Sequence, residues 1–93
     1  MEEIWKVKGE GTQVKEIWED FFGNLWFTTE IQKDNFRFGY VRLYNMPDCA
    51  EWGCFNLDEI KEAVGKNKLW QVPTKDWENI NSYEEDLLIK IDK

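Results

Sequence analysis

The stretch that decides the fold is residues 36–60, which read FRFGYVRLYNMPDCAEWGCFNLDEI. Residues 36–44 alternate as a β-strand does and carry apolar side chains on both faces, which predicts an inner strand covered on two sides. Gly39 lies within this strand, where the missing side chain permits a bulge or the close approach of another element. A turn-rich run at 45–48 then leads into residues 50–55, which predicts an antiparallel neighbour.

A helix start follows directly. Asn56 is a good N-cap, and Glu59 stands three residues later, where the two side chains can form a capping box. The next residues present one apolar stripe, formed by Leu57, Ile60, Ala63 and Val64. Gly65 occupies the position where a left-handed residue ends a helix. The sequence therefore predicts a helix over about residues 57–64.

The segments before this stretch are predicted to pack on it. Residues 3–8 read as a short edge strand with Trp5 and Val7 facing inward. Residues 12–22 are predicted to form a helix, because apolar residues recur there at helical spacing. That recurring set is Val14, Ile17, Trp18, Phe21 and Phe22. Residues 24–32 read as a strand, joined by a turn at 33–35 to residues 36–44 as a β-hairpin.

The segments after the helix are shorter. Residues 69–73 read as an extended edge segment, because Pro73 cannot donate a ladder hydrogen bond. Ser82 and Glu85 offer a second capping box. Residues 87–91 fit a final helix and a strand equally well. Together these patterns predict an α+β fold in which a small antiparallel sheet of three to five strands packs with two or three helices.

Length and composition predict that residues 1–93 form a single domain and that the protein is cytoplasmic. The chain is 33% charged, and no apolar run approaches the ~18 residues of a membrane-spanning helix. The first residues lack the basic and apolar regions of a secretory signal. The net charge of −7 argues against direct binding of nucleic acid, which needs a basic face to neutralise phosphates.

Few residues suit catalysis or metal binding. The chain has no histidine, which removes the usual histidine-dependent nucleophile pairs and mixed zinc sites. Cys49 and Cys54 are interpreted as two half-buried free thiols. No cofactor and no metal are predicted.

Two enzymatic alternatives remain open. Asp48, after Pro47, and Glu-Ile-Lys at 59–61 match the residue types of a Mg²⁺-dependent nuclease motif. In that motif the glutamate lies on a strand, whereas Glu59 is predicted to lie at the start of a helix. A second alternative pairs carboxylates for glycoside or phosphoester hydrolysis. Its candidates are Glu30, Asp34 and Glu51.

The acidic residues form two runs without an intervening base. The first holds Asp48, Glu51, Asp58 and Glu59, and the second holds Asp76, Glu78, Glu84, Glu85 and Asp86. If the runs lie side by side, they make one negative face with Trp77 and Tyr83 as aromatic anchors, suited to a basic groove on a partner protein. An ordinary solvated acidic surface is the alternative. Among the tryptophans, Trp18 and Trp26 are predicted to be buried, and Trp52, Trp70 and Trp77 to be exposed.

The central stretch resembles a family of uncharacterised domains carried on plasmids, phages and conjugative elements. The matching segments are an aromatic strand ending in Thr-Glu at 25–30 (LWFTTE), a Phe-Gly-Tyr-Val strand at 38–41, and a strand-to-helix junction at 51–60 (EWGCFNLDEI). The resemblance covers roughly residues 20–77. It implies an accessory protein of a mobile element, and it supplies no catalytic residues.

These observations predict a non-enzymatic acidic binding protein of a phage or mobile element. It would dock on a basic host protein, for example by occupying the nucleic-acid-binding groove of a nucleic-acid-handling or defence protein. The alternatives are a small Mg²⁺-dependent hydrolase or nuclease and a self-associating structural module. The protein itself would be a monomer or a homodimer that contacts neither nucleic acid nor a membrane.

Overall fold

The computed structural model describes residues 4–7, 12–44, 46–80 and 88–91, with the backbone alone described at 46–50 and 88–91. The strands are β1 Ile4–Val7, β2 Glu16–Asp20, β3 Leu25–Ile31, β4 Phe36–Leu43, β5 Met46–Asn56, β6 Leu69–Gln71 and β7 Leu88–Ile91. The helices are α1 Leu57–Val64 and α2 Trp77–Ile80, and a 3₁₀ turn at Thr74–Asp76 precedes the second one.

Five strands form one antiparallel sheet in the order β5-β4-β3-β2-β6, and β1 pairs with β7 in a separate two-stranded ribbon. The predicted α+β class is therefore confirmed. β4 lies between β3 and β5, so the predicted inner strand, the hairpin before it and the antiparallel neighbour after it are also confirmed.

Gly39 allows β3 and β4 to approach closely. It pairs with Thr28, and the register shifts between Thr28 and Glu30, which marks a β-bulge. A Cβ atom on Gly39 would lie 1.8 Å from the carbonyl oxygen of Phe27. Of the two possibilities that the sequence left open at this glycine, the close approach is found at Gly39 itself and the bulge lies opposite it in β3, and only a residue without a side chain fits there.

The main core lies on one side of the sheet, here called the core face. The paired residues Ile17, Phe27, Tyr40 and Trp52 point to this face in neighbouring strands. The ribbon and α2 cover it with buried apolar side chains, namely Trp5, Val7, Trp77 and Ile80. The rings of Trp5 and Trp77 meet edge to face, with centroids 6.0 Å apart.

The opposite side, here called the helix face, carries α1. The Nζ of Lys61 in α1 lies 5.7 Å from the ring centroid of Trp18, whose cross-strand partner is Trp26. Glu16 joins two neighbours on this face, because its Oε1 accepts from Arg37 Nε at 2.9 Å and from Trp18 Nε1 at 3.1 Å. A second buried layer therefore connects α1 to the sheet.

The helix signals of the sequence are confirmed at α1. Asn56 Oδ1 accepts a hydrogen bond from the Glu59 backbone N–H at 3.1 Å, as an N-cap does. The helix ends before Gly65, whose φ of 110° is one that residues with a side chain rarely adopt.

The prediction of a helix at residues 12–22 is wrong, because this segment contains β2. Ile17 is buried in the core, whereas its neighbour Trp18 is half-buried beside α1, so this strand carries apolar residues on both faces. An adjacent apolar pair of this kind fits a helix as well as a two-sided strand, and pairing with β3 and β6 decides for the strand.

Other predictions from the ends of the chain have mixed outcomes. The strand near residues 3–8 is confirmed as β1, and the edge segment at 69–73 is confirmed as β6. Residues 87–91, which fitted a helix and a strand equally well, contain the strand β7. The capping box of Ser82 and Glu85 lies outside the described residues. Within the described ranges, no helix has both the length and the apolar character needed to cross a membrane.

Candidate protein-binding surface

Two described members of each acidic run lie toward opposite edges of the sheet. Asp48 and Glu51 belong to β5, the strand at one edge, whereas Asp76 and Glu78 follow β6, the strand at the other edge. Four inter-strand spacings separate these edges by roughly 19 Å. Asp58 lies on α1, where its Oδ1 accepts from Asn35 Nδ2 at 2.9 Å. The single negative face predicted from the sequence is therefore not assembled by Asp48 and Glu51 together with Asp76 and Glu78.

The predictions for the exposed tryptophans and for the other members of that face have different outcomes. The prediction that Trp77 is exposed is wrong, because it is 5% exposed and its Nε1 donates to the Val72 carbonyl oxygen at 3.0 Å. Trp70 is 41% exposed, as predicted, and Trp52 is half-buried. The remaining predicted residues, Tyr83, Glu84, Glu85 and Asp86, lie outside the described part of the chain.

Neither Asp48 and Glu59 nor Glu30 and Glu51 are brought together. Asp48 lies near the start of β5 and Glu59 lies beyond its end in α1, so roughly 26 Å of extended strand separates their backbones. Glu30 is opposite Phe38 in the ladder, whereas Glu51 is opposite Val41. Among the described residues, no group of three acidic or cysteine side chains is placed to hold a metal ion.

The prediction of a half-buried thiol is wrong for Cys54, which is exposed on the edge strand β5. The side chain of Cys49 lies outside the described part.

Three aromatic side chains instead stand exposed at one end of the sheet. Phe21 is 67% exposed, Phe22 is 55% exposed and Tyr44 is 58% exposed. These three residues are called the aromatic end. Phe21 and Phe22 form the turn between β2 and β3, and Tyr44 follows β4. Exposed apolar residues are unremarkable when scattered, but adjoining ones mark interaction sites.

A buried carboxylate builds the turn that carries the two phenylalanines. Asp20 is 1% exposed, and its Oδ1 accepts from the backbone N–H groups of Phe22 and Asn24, both at 2.9 Å. Its Oδ2 accepts from Asn24 Nδ2 at 2.8 Å. Gly23 adopts a φ of 87° to complete the turn. The backbone beneath Phe21 and Phe22 is therefore fixed by a hydrogen-bonded carboxylate.

Contacts on either side join this turn to its neighbours. Asn24 Oδ1 accepts from the backbone N–H of Tyr44 at 2.8 Å, and a Cβ on Gly23 would lie 3.2 Å from the Tyr44 ring. On the other side, Phe21 N–H donates to the Lys68 carbonyl oxygen at 2.8 Å, and Lys68 Nζ lies 5.6 Å from the Phe21 ring centroid. The Phe21 and Phe22 rings meet edge to face with centroids 5.6 Å apart, and Tyr44 is joined to the same turn through Asn24 and Gly23.

A groove of about 270 Å³ lies beside Trp70, between the β2–β6 edge and α2. Its lining combines apolar, amide and acidic groups, from Glu19, Trp70, Val72, Pro73, Asp76, Asn79 and Ile80. Trp70 Nε1 donates to Glu19 Oε1 at 3.1 Å, which holds the indole against the neighbouring strand. This surface is called the acidic groove. It is the place where an exposed tryptophan and two carboxylates converge.

Sequence reasoning missed the exposure of Phe21 and Phe22, because it placed them in the apolar stripe of a helix. One signal pointed to a turn instead. Asp20, Gly23 and Asn24 are turn-forming residue types at the spacing that lets an aspartate bond to the backbone ahead of it. Of the predicted partner-binding residues that the structure describes, Asp76 lines the acidic groove.

No protein-family model matches the chain, and no match was found among curated proteins or solved structures. The resemblance to domains of mobile elements therefore stays a prediction. Any function for this α+β domain rests on its own side chains.

Proposed function

We propose that this protein is a non-enzymatic binding protein that docks on a basic partner protein through its aromatic end. The observation that carries the proposal is the exposure of Phe21, Phe22 and Tyr44 side by side. Three aromatic rings with this exposure present on the order of 300 Å² of apolar surface. Patches of that size on soluble domains are commonly functional.

The construction of the turn supports the same proposal. Phe and Tyr side chains have few rotatable bonds, so they lose little entropy when a partner immobilises them. Asp20 fixes the backbone that carries Phe21 and Phe22, and Asn24 ties that turn to Tyr44. A rigid aromatic surface needs little reorganisation on binding, which raises affinity.

Charge defines the class of partner. The net charge of −7 attracts a positively charged protein and speeds its encounter with the domain. Lys68 Nζ lies beside the Phe21 ring, so the attraction comes from the domain as a whole and from the acidic groove rather than from the aromatic end. The narrower version, with a nucleic-acid-handling or defence protein of the host as partner, rests on the family resemblance alone.

The test compares two double variants that remove exposed apolar side chains from opposite ends of the sheet. Phe21→Ser with Phe22→Ser removes two members of the aromatic end, and Ile31→Ser with Phe36→Ser removes two side chains that are 50% and 48% exposed at the other end. We expect a basic partner, captured from a lysate of the source organism, to bind the first variant roughly 30-fold more weakly than the unmodified protein. The matched variant should bind as the unmodified protein does.

Affinity is measured by calorimetry with the purified partner, at two salt concentrations. Binding should weaken as salt rises, because screening reduces the long-range attraction. Equal binding by the two double variants, or a captured partner with net negative charge, would contradict the proposal. A dimer of this chain that the aromatic-end variant abolishes would assign the surface to a second copy instead.

A further inference from the structure

We infer that the acidic groove binds the guanidinium group of an arginine side chain on the partner protein. This inference rests on the proposed function and names the chemistry of one contact within it. The groove is about 270 Å³, below the range of roughly 300–1,000 Å³ typical of small-molecule sites, so it suits one side chain rather than a larger ligand.

Charge on the groove wall favours a cation. Glu19 and Asp76 both line it, and no lysine or arginine within the described ranges does. The Asp76 carboxylate makes no hydrogen bond or ion pair with another described residue, so a bound cation would displace none of these. Opposite charge within a few ångströms is the simplest recognition element for a cationic side chain.

The tryptophan adds a second element that points to a cation. Trp70 is 41% exposed, and its hydrogen bond to Glu19 holds the indole in one orientation. A cation within about 6 Å of an indole centroid is attracted by the ring, and tryptophan is the strongest such partner among the side chains. One wall of the groove is therefore aromatic while two carboxylates line the same space.

The chemistry of the lining favours arginine over lysine. A guanidinium is planar, so it can stack on an indole while its N–H groups donate to a carboxylate, whereas an ammonium is a compact point charge. Val72, Pro73 and Ile80 supply an apolar floor for the methylene stem of the side chain. The 3₁₀ turn positions the carboxylate, because the Asp76 N–H donates to the Pro73 carbonyl oxygen at 2.9 Å.

The experiment titrates N-acetylarginine amide into the ¹⁵N-labelled protein and follows the indole N–H resonance of Trp70 by NMR. The resonance is assigned from its loss in Trp70→Phe. We expect a saturable shift with a dissociation constant of roughly 1–10 mM, the range expected for a single side-chain contact. N-acetylcitrulline amide has the same shape without the charge and should cause no saturable shift.

Matched variants locate the contact. Asp76→Asn keeps the size of the side chain and removes its charge, and it should weaken binding roughly five-fold. Glu62→Gln removes one charge from an exposed position on α1 and should leave binding unchanged. Both variants should unfold at the same urea concentration as the unmodified protein, which excludes a general loss of structure.

Several results would overturn the inference. They are the absence of a saturable shift, an equal response to the citrulline compound, and an equal loss of binding in Glu62→Gln. Equal binding of N-acetyllysine amide would overturn the choice of arginine. The titration needs no partner protein, so its failure is distinguishable from failure of the aromatic end, which the Phe21→Ser, Phe22→Ser variant tests.

Discussion

Replacement of Gly39 by alanine is expected to lower the free energy of unfolding by roughly 4 kcal/mol, a large share of the 5–14 kcal/mol typical of a domain of this size. The added Cβ would lie 1.8 Å from the Phe27 carbonyl oxygen and 2.8 Å from the carbonyl carbon. Both contacts are with backbone, which cannot rotate away as a side chain can. β3 and β4 would have to separate at the bulge, in the middle of the sheet.

The chain supplies a matched control in Gly53, which pairs with Gly39 across the β4–β5 ladder. A Cβ atom on Gly53 would have no neighbour within 4 Å. Gly53→Ala should therefore change stability by less than about 1 kcal/mol, on the stabilising side, since alanine restricts the unfolded chain. Urea unfolding followed by tryptophan fluorescence measures both variants. If Gly39→Ala and Gly53→Ala unfold at the same urea concentration, the backbone around Gly39 can move to admit a side chain, and the prediction is wrong.

Replacement of Asp20 by alanine has the second-largest expected effect, a loss of about 3 kcal/mol. The buried carboxylate accepts three hydrogen bonds, from two backbone N–H groups and the Asn24 side chain. Alanine would leave these donors without their acceptor. The turn would then loosen beneath Phe21 and Phe22, so binding through the aromatic end should weaken together with stability.

A graded series separates the hydrogen bonds from the charge. Asp20→Asn keeps one oxygen acceptor but places an amide N–H₂ group opposite Asn24 Nδ2, so its loss should be intermediate. Glu62→Ala removes an exposed carboxylate and should be nearly neutral. Chemical denaturation ranks the variants, and chemical shifts of the Phe22 and Asn24 amides report the turn. If Asp20→Ala lowers stability no more than Glu62→Ala does, the Asp20 carboxylate is not what holds the turn that carries Phe21 and Phe22.

The centre of the chain was predictable because its signals are local. Alternation over residues 36–44, a short turn on either side and the cap at Asn56 each depend on neighbours in the sequence, and β4, β5 and α1 follow them. The position of Gly39 in a strand likewise indicated a bulge or a close approach at this point of the sheet. These elements require no knowledge of what covers them.

The sequence predictions were wrong where residues far apart in the chain determine the structure. The segment with Ile17 and Trp18 is a strand because two strands pair with it and both of its faces are covered. Trp77 stands among acids in the sequence, yet Trp5 from β1 packs against it and buries it. The separation of Asp48 and Glu51 from Asp76 and Glu78 depends on strand order, which no local pattern encodes. The candidate site was therefore only partly predictable, through Trp70 and Asp76.

The pairing of β1 with β7 has a consequence for the order of folding. Ile4 pairs with Ile91, so the ribbon joins positions 87 residues apart, whereas β3, β4 and β5 meet their partners through short turns. Loop-closure entropy opposes the distant pairing, so we expect the ribbon to form after the meander and to open before it. Native-state hydrogen exchange should then show β1 and β7 amides exchanging at a lower opening free energy than those of β3 and β4. Each such opening would uncover Ile17 and Phe27 while the meander stays intact.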